Sequence, residues 1–324
     1  MKIVVIGGGT GTFTALTGLK QHPHVDLTAI VSCADNGGSS GILRDEYGVL
    51  PPGDIRQCLV ALAESGHEMR ELFNYRFKDG PLAGHPIGNL LLSGLEDMHK
   101  DPFEAVRIAQ RILNVRGRVV PVSRHAADLV VELDDGRRIH GEHQIDSRMS
   151  NHAIQRCFLG SPVEPNPEAI EAILDANVVV IGPGDLYTSL IPVILVNGIR
   201  EALRATKATR LYVLNLTTKP GATFGFTASR FRCELQAYLD PATIQGVIVN
   251  NSKPAPHLVQ RYEEAGECLV QDDLTDRGDG VVRWALLDGN GSSPKEGDAL
   301  KRSFLRHNPD SLALAILACA EMFA

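Results

Sequence analysis

The chain has 324 residues, of which 44% are hydrophobic and 22% charged, a composition typical of a globular protein with one large α/β domain or two ordinary ones. The formal net charge of −7 argues against a broad nucleic-acid interface, and the absence of any run of 18 apolar residues argues against a membrane span. Six cysteines without a CxxC pair, and a short N-terminal apolar run followed by glycines, favour a cytoplasmic protein with reduced thiols over a secreted one.

Apolar, β-branched runs recur along the chain, each followed by a turn and a loop or a helical pattern. They cover residues 2–6, 27–31, 177–182, 210–216 and 244–249. Runs that are apolar throughout suit strands covered on both faces, and intervening helices make such strands parallel. The sequence therefore predicts an α/β fold with a Rossmann-like, doubly wound and mostly parallel sheet.

Two segments interrupt this alternation. Residues 52–113 are predicted to form a helical insertion, and residues 118–145 a β-hairpin insertion with Asp135-Gly136 at its turn. Residues 288–298 are predicted to form a surface loop before an apolar C-terminal helix. We expect residues 1–324 to form a single domain that contains both insertions.

The first glycine-rich loop, "GGGTGT", joins the first strand to the first helix. Ligands of open parallel sheets bind beyond the carboxyl ends of the strands, and a helix N-terminus there favours a phosphate. The candidate phosphate-binding residues are Gly8, Gly9, Thr10, Gly11 and Thr12. Counting from Gly7, Thr12 stands where the dinucleotide pattern G-x-G-x-x-G has its third glycine, so a NAD-dependent oxidoreductase is disfavoured. A tight turn without a ligand is the alternative.

The second strand is followed by "ADNGGSSG", an unusually long run of small and polar residues. Successive backbone N–H groups in such a loop can form a nest for an anion, with serine hydroxyls as further donors. The candidate residues are Asp35, Asn36, Gly37, Gly38, Ser39 and Ser40. Asp35 can hold a divalent cation or the hydroxyls of a ligand, and the alternative for Asp35 and Asn36 is helix N-capping.

Later loops supply further candidates at the same predicted edge. These are Asp54, Asn89, Gly184, Asp185, Thr188, Ser189, Asn215 and Lys219. Capping of a helix is the alternative for Asp54 and Asn89, whereas Lys219 is a candidate phosphate contact.

Other signals are weaker. His140 and Glu142 share a face if they lie on a strand, but His143 then points away, so a metal site there is disfavoured. Neither G-x-S-x-G nor a Walker-type GxxxxGK[ST] occurs, which argues against a hydrolase elbow and a P-loop ATPase. Four aromatic residues can stack on a base or sugar, although packing under loops is the commoner role: Tyr187, Phe224, Phe226 and Trp284.

Taken together, these loops resemble the family that joins the gluconeogenesis factor YvcK with the phospho-lactate transferase CofD. The resemblance covers nearly the whole chain and rests on "GGGTG", "ADNGGSSGILR", "PPGDIRQ", "GNLLLSGL", "HGE", "GPGDLYTSLIP", "NLTTKPGAT" and "LRHNP". It implies a Rossmann-like core. "LYTSLIP" and "LRHNP" are more similar to the YvcK branch.

The two branches imply different functions. The YvcK branch is cytosolic, binds UDP-sugars, UDP-N-acetylglucosamine in particular, and supports cell-wall synthesis and cell shape on gluconeogenic carbon sources. The CofD branch moves a phospho-lactyl group from a guanosine diphosphate-type donor to a deazaflavin with a magnesium ion. The first implies a binding regulator and the second an enzyme.

The resemblance also suggests a magnesium site. The aspartates at the matching positions are Asp35, Asp54 and Asp185. One departure concerns Ala222, since many YvcK-like chains read Pro-Gly-Glu-Thr where this chain reads Pro220-Gly221-Ala222-Thr223. A glutamate contact to the ligand would be missing here. The expected partner is a UDP-sugar or another nucleoside diphosphate, without nucleic acid or membrane, and a homodimer is left open.

Overall fold

The computed structural model describes residues 1–148, 152–240, 243–275, 280–287 and 305–323. Within these ranges the strands are β1 (Lys2–Gly7), β2 (Asp26–Val31), β3 (Arg118–Pro121), β4 (Leu129–Leu133), β5 (Arg138–His140), β6 (Ile154–Leu159), β7 (Val178–Ile181), β8 (Thr209–Val213), β9 (Gly246–Asn250) and β10 (Val281–Trp284).

Most helices connect strands of the larger sheet, and five of them lie between β2 and β3. They are α1 (Gly9–Leu19), α2 (Gly38–Tyr47), α3 (Pro52–Leu62), α4 (His67–Asn74), α5 (Ile87–His99), α6 (Pro102–Ile112), α7 (Glu142–Asp146), α8 (Pro167–Asp175), α9 (Ile191–Ile194), α10 (Ile199–Ala205), α11 (Ala228–Tyr238), α12 (Pro256–Glu264) and α13 (Pro309–Met322). A single π-helical turn, Leu186–Leu190, precedes α9.

The main sheet has seven parallel strands in the order β10-β9-β8-β7-β1-β2-β3. From β1 the chain builds outward through β2 and β3, then returns to β7 on the other side of β1 and builds outward again. The strand order therefore reverses between β1 and β7, and the carboxyl ends of these strands are where doubly wound folds bind ligands.

Burial explains why these runs are strands. Ile3, Val4, Val5 and Ile6 on β1 are at most 2% exposed, because helices cover both faces of the sheet. α1 packs against α3 and α13, and an apolar core of strand and helix side chains runs through the molecule. The predicted α/β, doubly wound and mostly parallel fold is confirmed, with strand ends within about three residues of the predicted ones.

The hairpin prediction was wrong in one part. Asp135-Gly136 does form the turn between antiparallel β4 and β5. Arg118–Pro121, however, pairs in parallel with β2 at the edge of the main sheet, since its apolar residues are buried on both faces. β6 pairs with β4 instead and completes a three-stranded antiparallel sheet, β5-β4-β6. A hairpin was expected because these apolar runs are neighbours in the sequence. The local pattern does not show which distant strand each run pairs with.

The remaining segments are simpler. Residues 52–113 are helical as predicted, in α3 to α6, and the C-terminal helix is α13. The predicted surface loop 288–298 lies outside the described residues. In the described part of the chain, no helix taken singly has the length and apolarity to cross a membrane; the pair Leu186–Ile194 and Ile199–Ala205, bent by 75°, meets that test only jointly, by length and composition.

Candidate functional site

The glycine loop brings the start of α1 close to the loop that follows β7. Gly8 is extended, with φ −164°, and Gly9 is left-handed, with φ +67°. A Cβ on Gly11 would overlap the carbonyl oxygen of Pro183, so only glycine allows this approach. Thr12 is fully buried and its Oγ1 donates to the carbonyl of Gly8 at 3.2 Å. Thr12 therefore stabilises the loop from its buried side and does not face a ligand.

Asp54 lies directly under this glycine loop. A Cβ on Gly8 would overlap the Asp54 carboxylate, which accepts a hydrogen bond from the N–H of Gly9. Burial raises the pKa of Asp54 to about 7, and the charge of Asp35 adds to the rise, although the Gly9 N–H opposes it. Asp54 is thus a proton-binding group near neutral pH that joins the first loop to the second.

The second loop turns on its own side chains. Asp35 Oδ1 accepts from the N–H of Gly37 at 2.8 Å, immediately before α2 begins at Gly38. Ser40 Oγ accepts from the N–H of Gly53 at 3.1 Å and so fixes α2 against α3. No side chain caps α2, and the first N–H groups of a helix lack partners within it. The start of α2 is therefore a second source of donors at the site.

A buried polar network supports this loop from the helical segment. Ser39 Oγ lies 2.9 Å from His85 Nδ1 and accepts from Asn89 Nδ2 at 3.0 Å. Asn89 Oδ1 accepts from Arg56 Nε at 2.9 Å, and Arg56 also donates to Asn74. Asn89 lies inside α5 and serves this network, not the helix cap. His85 and Arg56 were not among the predicted site residues. Their only sequence signal is that each lies next to a glycine-containing turn.

The smaller sheet adds α7, a helix that the sequence pattern did not predict. The N–H of His143 donates to Asn36 Oδ1 at 2.8 Å, so α7 is fixed on the second loop. Glu142 lies within hydrogen-bonding reach of Asp35. Burial, then the charges of Asp35, Asp54 and Asp146, raise the pKa of Glu142 well above its usual range. Its only sequence signal was "HGE", where a strand was expected.

His140 and Glu142 do not share a face. His140 Nδ1 lies 3.3 Å from an Asp128 oxygen on the exposed side of the small sheet. Glu142 is instead the first residue of α7 and points to the main site. The strand that would have aligned the two side chains ends at His140, so they are directed to different parts of the molecule.

Lys219 lies between two carboxylates. Its Nζ is 2.5 Å from Asp185 Oδ2 and 3.2 Å from Asp146 Oδ2, and Asp146 also accepts from Thr188 Oγ1 at 3.0 Å. Burial lowers the pKa of Lys219, but Asp185 and Asp146 raise it more, so the net shift is upward. Burial and Asp185 also raise the pKa of Asp146, against the effect of Lys219. Asp146 was not predicted.

The loops after β7 and β8 are joined by one amide. Asn215 Nδ2 donates to the carbonyl of Gly184 at 2.9 Å. Ser189 is 7% exposed and lies in the π-helical turn that follows Asp185. Gly184, Asp185, Asn215 and Lys219 are therefore together, as predicted from their common position after neighbouring strands.

The site as a whole combines helix N-termini with a cluster of acidic side chains. Five carboxylates converge: Asp35, Asp54, Glu142, Asp146 and Asp185. Such carboxylates share protons or bind cations, because ionising all of them together is costly. The ligand atoms of the predicted set are not close enough together to form a three-ligand cluster; this set is Asp35, Asp54 and Asp185. Among the described residues, the group whose ligand atoms all lie within 4.8 Å of one another is on the surface and consists of Asp134, Asp135 and His152.

Comparison with known proteins agrees with the motifs. Residues 3–286 match the family described as 2-phospho-L-lactate transferase CofD. The gluconeogenesis factor of Bacillus subtilis is 40% identical over 275 residues, covering 84% of this chain and 86% of that protein. That of Halalkalibacterium halodurans is 38% identical over 323 residues, covering 98% and 95%.

A solved structure extends the comparison to the fold. The crystal structure of a UPF0052 family member from Bacillus halodurans superposes with a TM-score of 0.89 at 37% identity, covering 98% of this chain and 99% of that one. Identities of this size over nearly the full length show common descent of sequence and fold. The chain belongs to the CofD family, and its relatives from Bacillus subtilis and Halalkalibacterium halodurans carry the name gluconeogenesis factor.

Proposed function

We propose that this protein is a YvcK-type gluconeogenesis factor that binds a UDP-sugar, UDP-N-acetylglucosamine in particular, at the carboxyl edge of the main sheet. In this proposal it acts as a cytoplasmic regulator that supports cell-wall synthesis and cell shape. The names of its relatives and the motifs "LYTSLIP" and "LRHNP" support the assignment.

One observation carries the ligand class. The starts of α1 and α2 offer backbone N–H donors at the same edge where carboxyl and amide oxygens offer acceptors. Phosphates need donors, whereas sugar and ribose hydroxyls need acceptors as well. A nucleoside diphosphate sugar carries both kinds of group in one molecule.

The donor set also suits magnesium. Mg²⁺ takes oxygen ligands, and it commonly uses one or two carboxylates together with phosphates of the substrate. Asp35, Asp54 and Asp185 are the residues that would hold it. The ion would neutralise diphosphate charge beside the acidic side chains. A preassembled three-carboxylate cluster is not required for this.

A CofD-like 2-phospho-L-lactate transferase is the second candidate. Two observations favour it: the family match over residues 3–286, and the convergence of carboxylates where a diphosphate would lie. In that case a guanosine diphosphate-type donor would bind with magnesium, and a deazaflavin would accept the phospho-lactyl group. Phosphoryl-type transfer relies on positioning and charge neutralisation, which needs no histidine base.

A thermal-shift screen separates the two candidates. The ligands are UDP-N-acetylglucosamine, UDP-glucose, GDP, GTP, NAD and a deazaflavin, each with and without magnesium. A ligand at about a hundredfold its Kd stabilises a protein by about 2.7 kcal/mol, enough for a shift of several degrees. A shift with a UDP-sugar supports the regulator. A shift only with guanine nucleotide or deazaflavin plus magnesium contradicts it and favours the transferase.

A further inference from the structure

The loop that carries Lys219 contains a buried hydrogen-bond acceptor whose partner cannot be a phosphate. Asn215 Oδ1 is buried and has no hydrogen-bond partner in the described chain, while its Nδ2 is committed to the carbonyl of Gly184. Flipping the amide would set Oδ1 against that carbonyl, so the orientation is fixed. An ionised phosphate offers acceptors only. The missing partner is therefore a donor, such as an ordered water, a ribose hydroxyl or a base N–H.

The same loop carries a solvent-exposed aromatic ring. Phe224 is 62% exposed, the largest exposure among the described phenylalanines. The other rings near the site are already packed: Tyr187 is 2% exposed, and Phe226 packs edge-on against Phe231 at 5.5 Å. Among the described aromatic residues on this loop and the one after β7, Phe224 is the ring that is free to stack on a ligand.

The backbone around Phe224 is held rather than loose. The N–H of Lys219 donates to Thr223 Oγ1 at 2.9 Å, and the N–H of Thr223 donates back to the carbonyl of Lys219 at 3.0 Å. The N–H of Phe226 then donates to the carbonyl of Thr223 at 3.0 Å. The turn that sets Lys219 against its two aspartates thus also sets the position of Phe224. The backbone at Phe224 is therefore ordered before a ligand binds, which lowers the cost of ordering this turn on binding.

We propose that residues 215–226 form the nucleoside subsite of the bound nucleotide. The ring of Phe224 stacks on the planar base, and Asn215 Oδ1 accepts a hydrogen bond from the ribose or the base. The diphosphate lies toward Lys219 and the glycine loop. The inference rests on the proposed function for the ligand class, a nucleoside diphosphate, but stacking does not depend on whether the base is uracil or guanine.

The test compares a nucleotide with a phosphate that lacks a nucleoside. Isothermal titration with UDP-N-acetylglucosamine, UDP, GDP and pyrophosphate is run on wild type, Phe224→Ala and Phe224→Tyr. Base–aromatic stacking is worth roughly a tenfold change in Kd or more. We expect Phe224→Ala to raise the Kd of the bound nucleotide about tenfold, Phe224→Tyr to retain it, and the Kd of pyrophosphate to stay unchanged. Met98→Ala, which truncates a 67% exposed side chain on α5, is the matched control.

A spectroscopic readout checks for direct contact. The protein has a single tryptophan, Trp284, so Phe224→Trp adds one fluorophore to a known background. Stacking on a base should quench the added emission when UDP is titrated, and pyrophosphate should not quench it. Asn215→Ala should weaken UDP but not pyrophosphate, with EDTA present so that a bound cation cannot account for the effect.

The outcomes separate this inference from the proposed function. Full nucleotide affinity in Phe224→Ala, or equal weakening of UDP and pyrophosphate, overturns the subsite alone. Binding of GDP but not of a UDP-sugar, with loss in Phe224→Ala, supports the subsite and overturns the proposed ligand. If wild type binds none of the nucleotides, both are overturned.

Discussion

Replacing Asp54 by asparagine should stabilise the protein at pH 8 while weakening its ligand binding. Asp54 is buried under the glycine loop, and its pKa is raised from 3.8 to about 7. A carboxyl group with a raised pKa in the folded state stabilises fully below its unfolded pKa, near pH 4. That contribution is lost as the pH rises through 7.

The size of the effect follows from the shift. One pKa unit corresponds to about 1.4 kcal/mol, so the ionisation of Asp54 costs at most about 4 kcal/mol of folding free energy between pH 4 and pH 8. An amide keeps an oxygen for the Gly9 N–H and carries no charge. We expect Asp54→Asn to gain roughly 1–4 kcal/mol at pH 8, or several degrees in Tm, and almost nothing at pH 4.

The assay is urea unfolding at pH 4 and pH 8 for wild type, Asp54→Asn and a control. Asp45→Asn is a suitable control, since its side chain is 67% exposed and pairs with Arg44 on the surface. The control should change stability by less than about 0.5 kcal/mol at either pH. An equal effect of Asp54→Asn at both pH values would show that the ionisation of Asp54 does not control the stability. Glu142 and Asp146 have raised pKa values as well, so part of the pH dependence should remain in the variant.

Three further changes test other parts of the site. Gly11→Ala should lower the free energy of unfolding by more than about 2 kcal/mol, because its Cβ would overlap the carbonyl of Pro183. Gly94→Ala in α5 is the control: its Cβ would meet nothing within 4 Å, so this change should raise the free energy of unfolding by about 0.5–1 kcal/mol. Thermal denaturation of both variants measures the two effects. Lys219→Met removes the cation between two carboxylates, so the Kd of pyrophosphate should rise about tenfold or more in calorimetry; an unchanged Kd would show that this lysine does not meet phosphate. Asp35→Ala should lower ligand affinity and keep the circular dichroism spectrum, and unchanged affinity would exclude its assigned role.

The parts of the fold that could be predicted are those with a local signal. The strands β1, β2, β7, β8 and β9 are buried on both faces, and this leaves uninterrupted apolar runs in the sequence. Loops that follow such strands in a parallel sheet must share an edge. Asp35, after β2, and Asp185, after β7, could therefore be placed in one region from the sequence.

The parts that were missed depend on long-range contacts. Glu142 and Asp146 reach the site because the smaller sheet positions α7 against Asn36, more than 100 residues earlier in the chain. Nothing in the spacing of "HGEHQID" reveals that contact. Lys219 was expected to meet phosphate, but its pairing with Asp185 and Asp146 was not foreseen, since ion pairs between distant loops have no periodicity.

The most direct test of the central claim is a calorimetric titration of the wild-type protein with UDP-N-acetylglucosamine at pH 7.5, with and without magnesium. We expect saturable binding that pyrophosphate in excess displaces, because the diphosphate contacts the helix starts and Lys219. Absence of binding to this UDP-sugar, together with magnesium-dependent binding of GDP, would rule out a UDP-sugar site here.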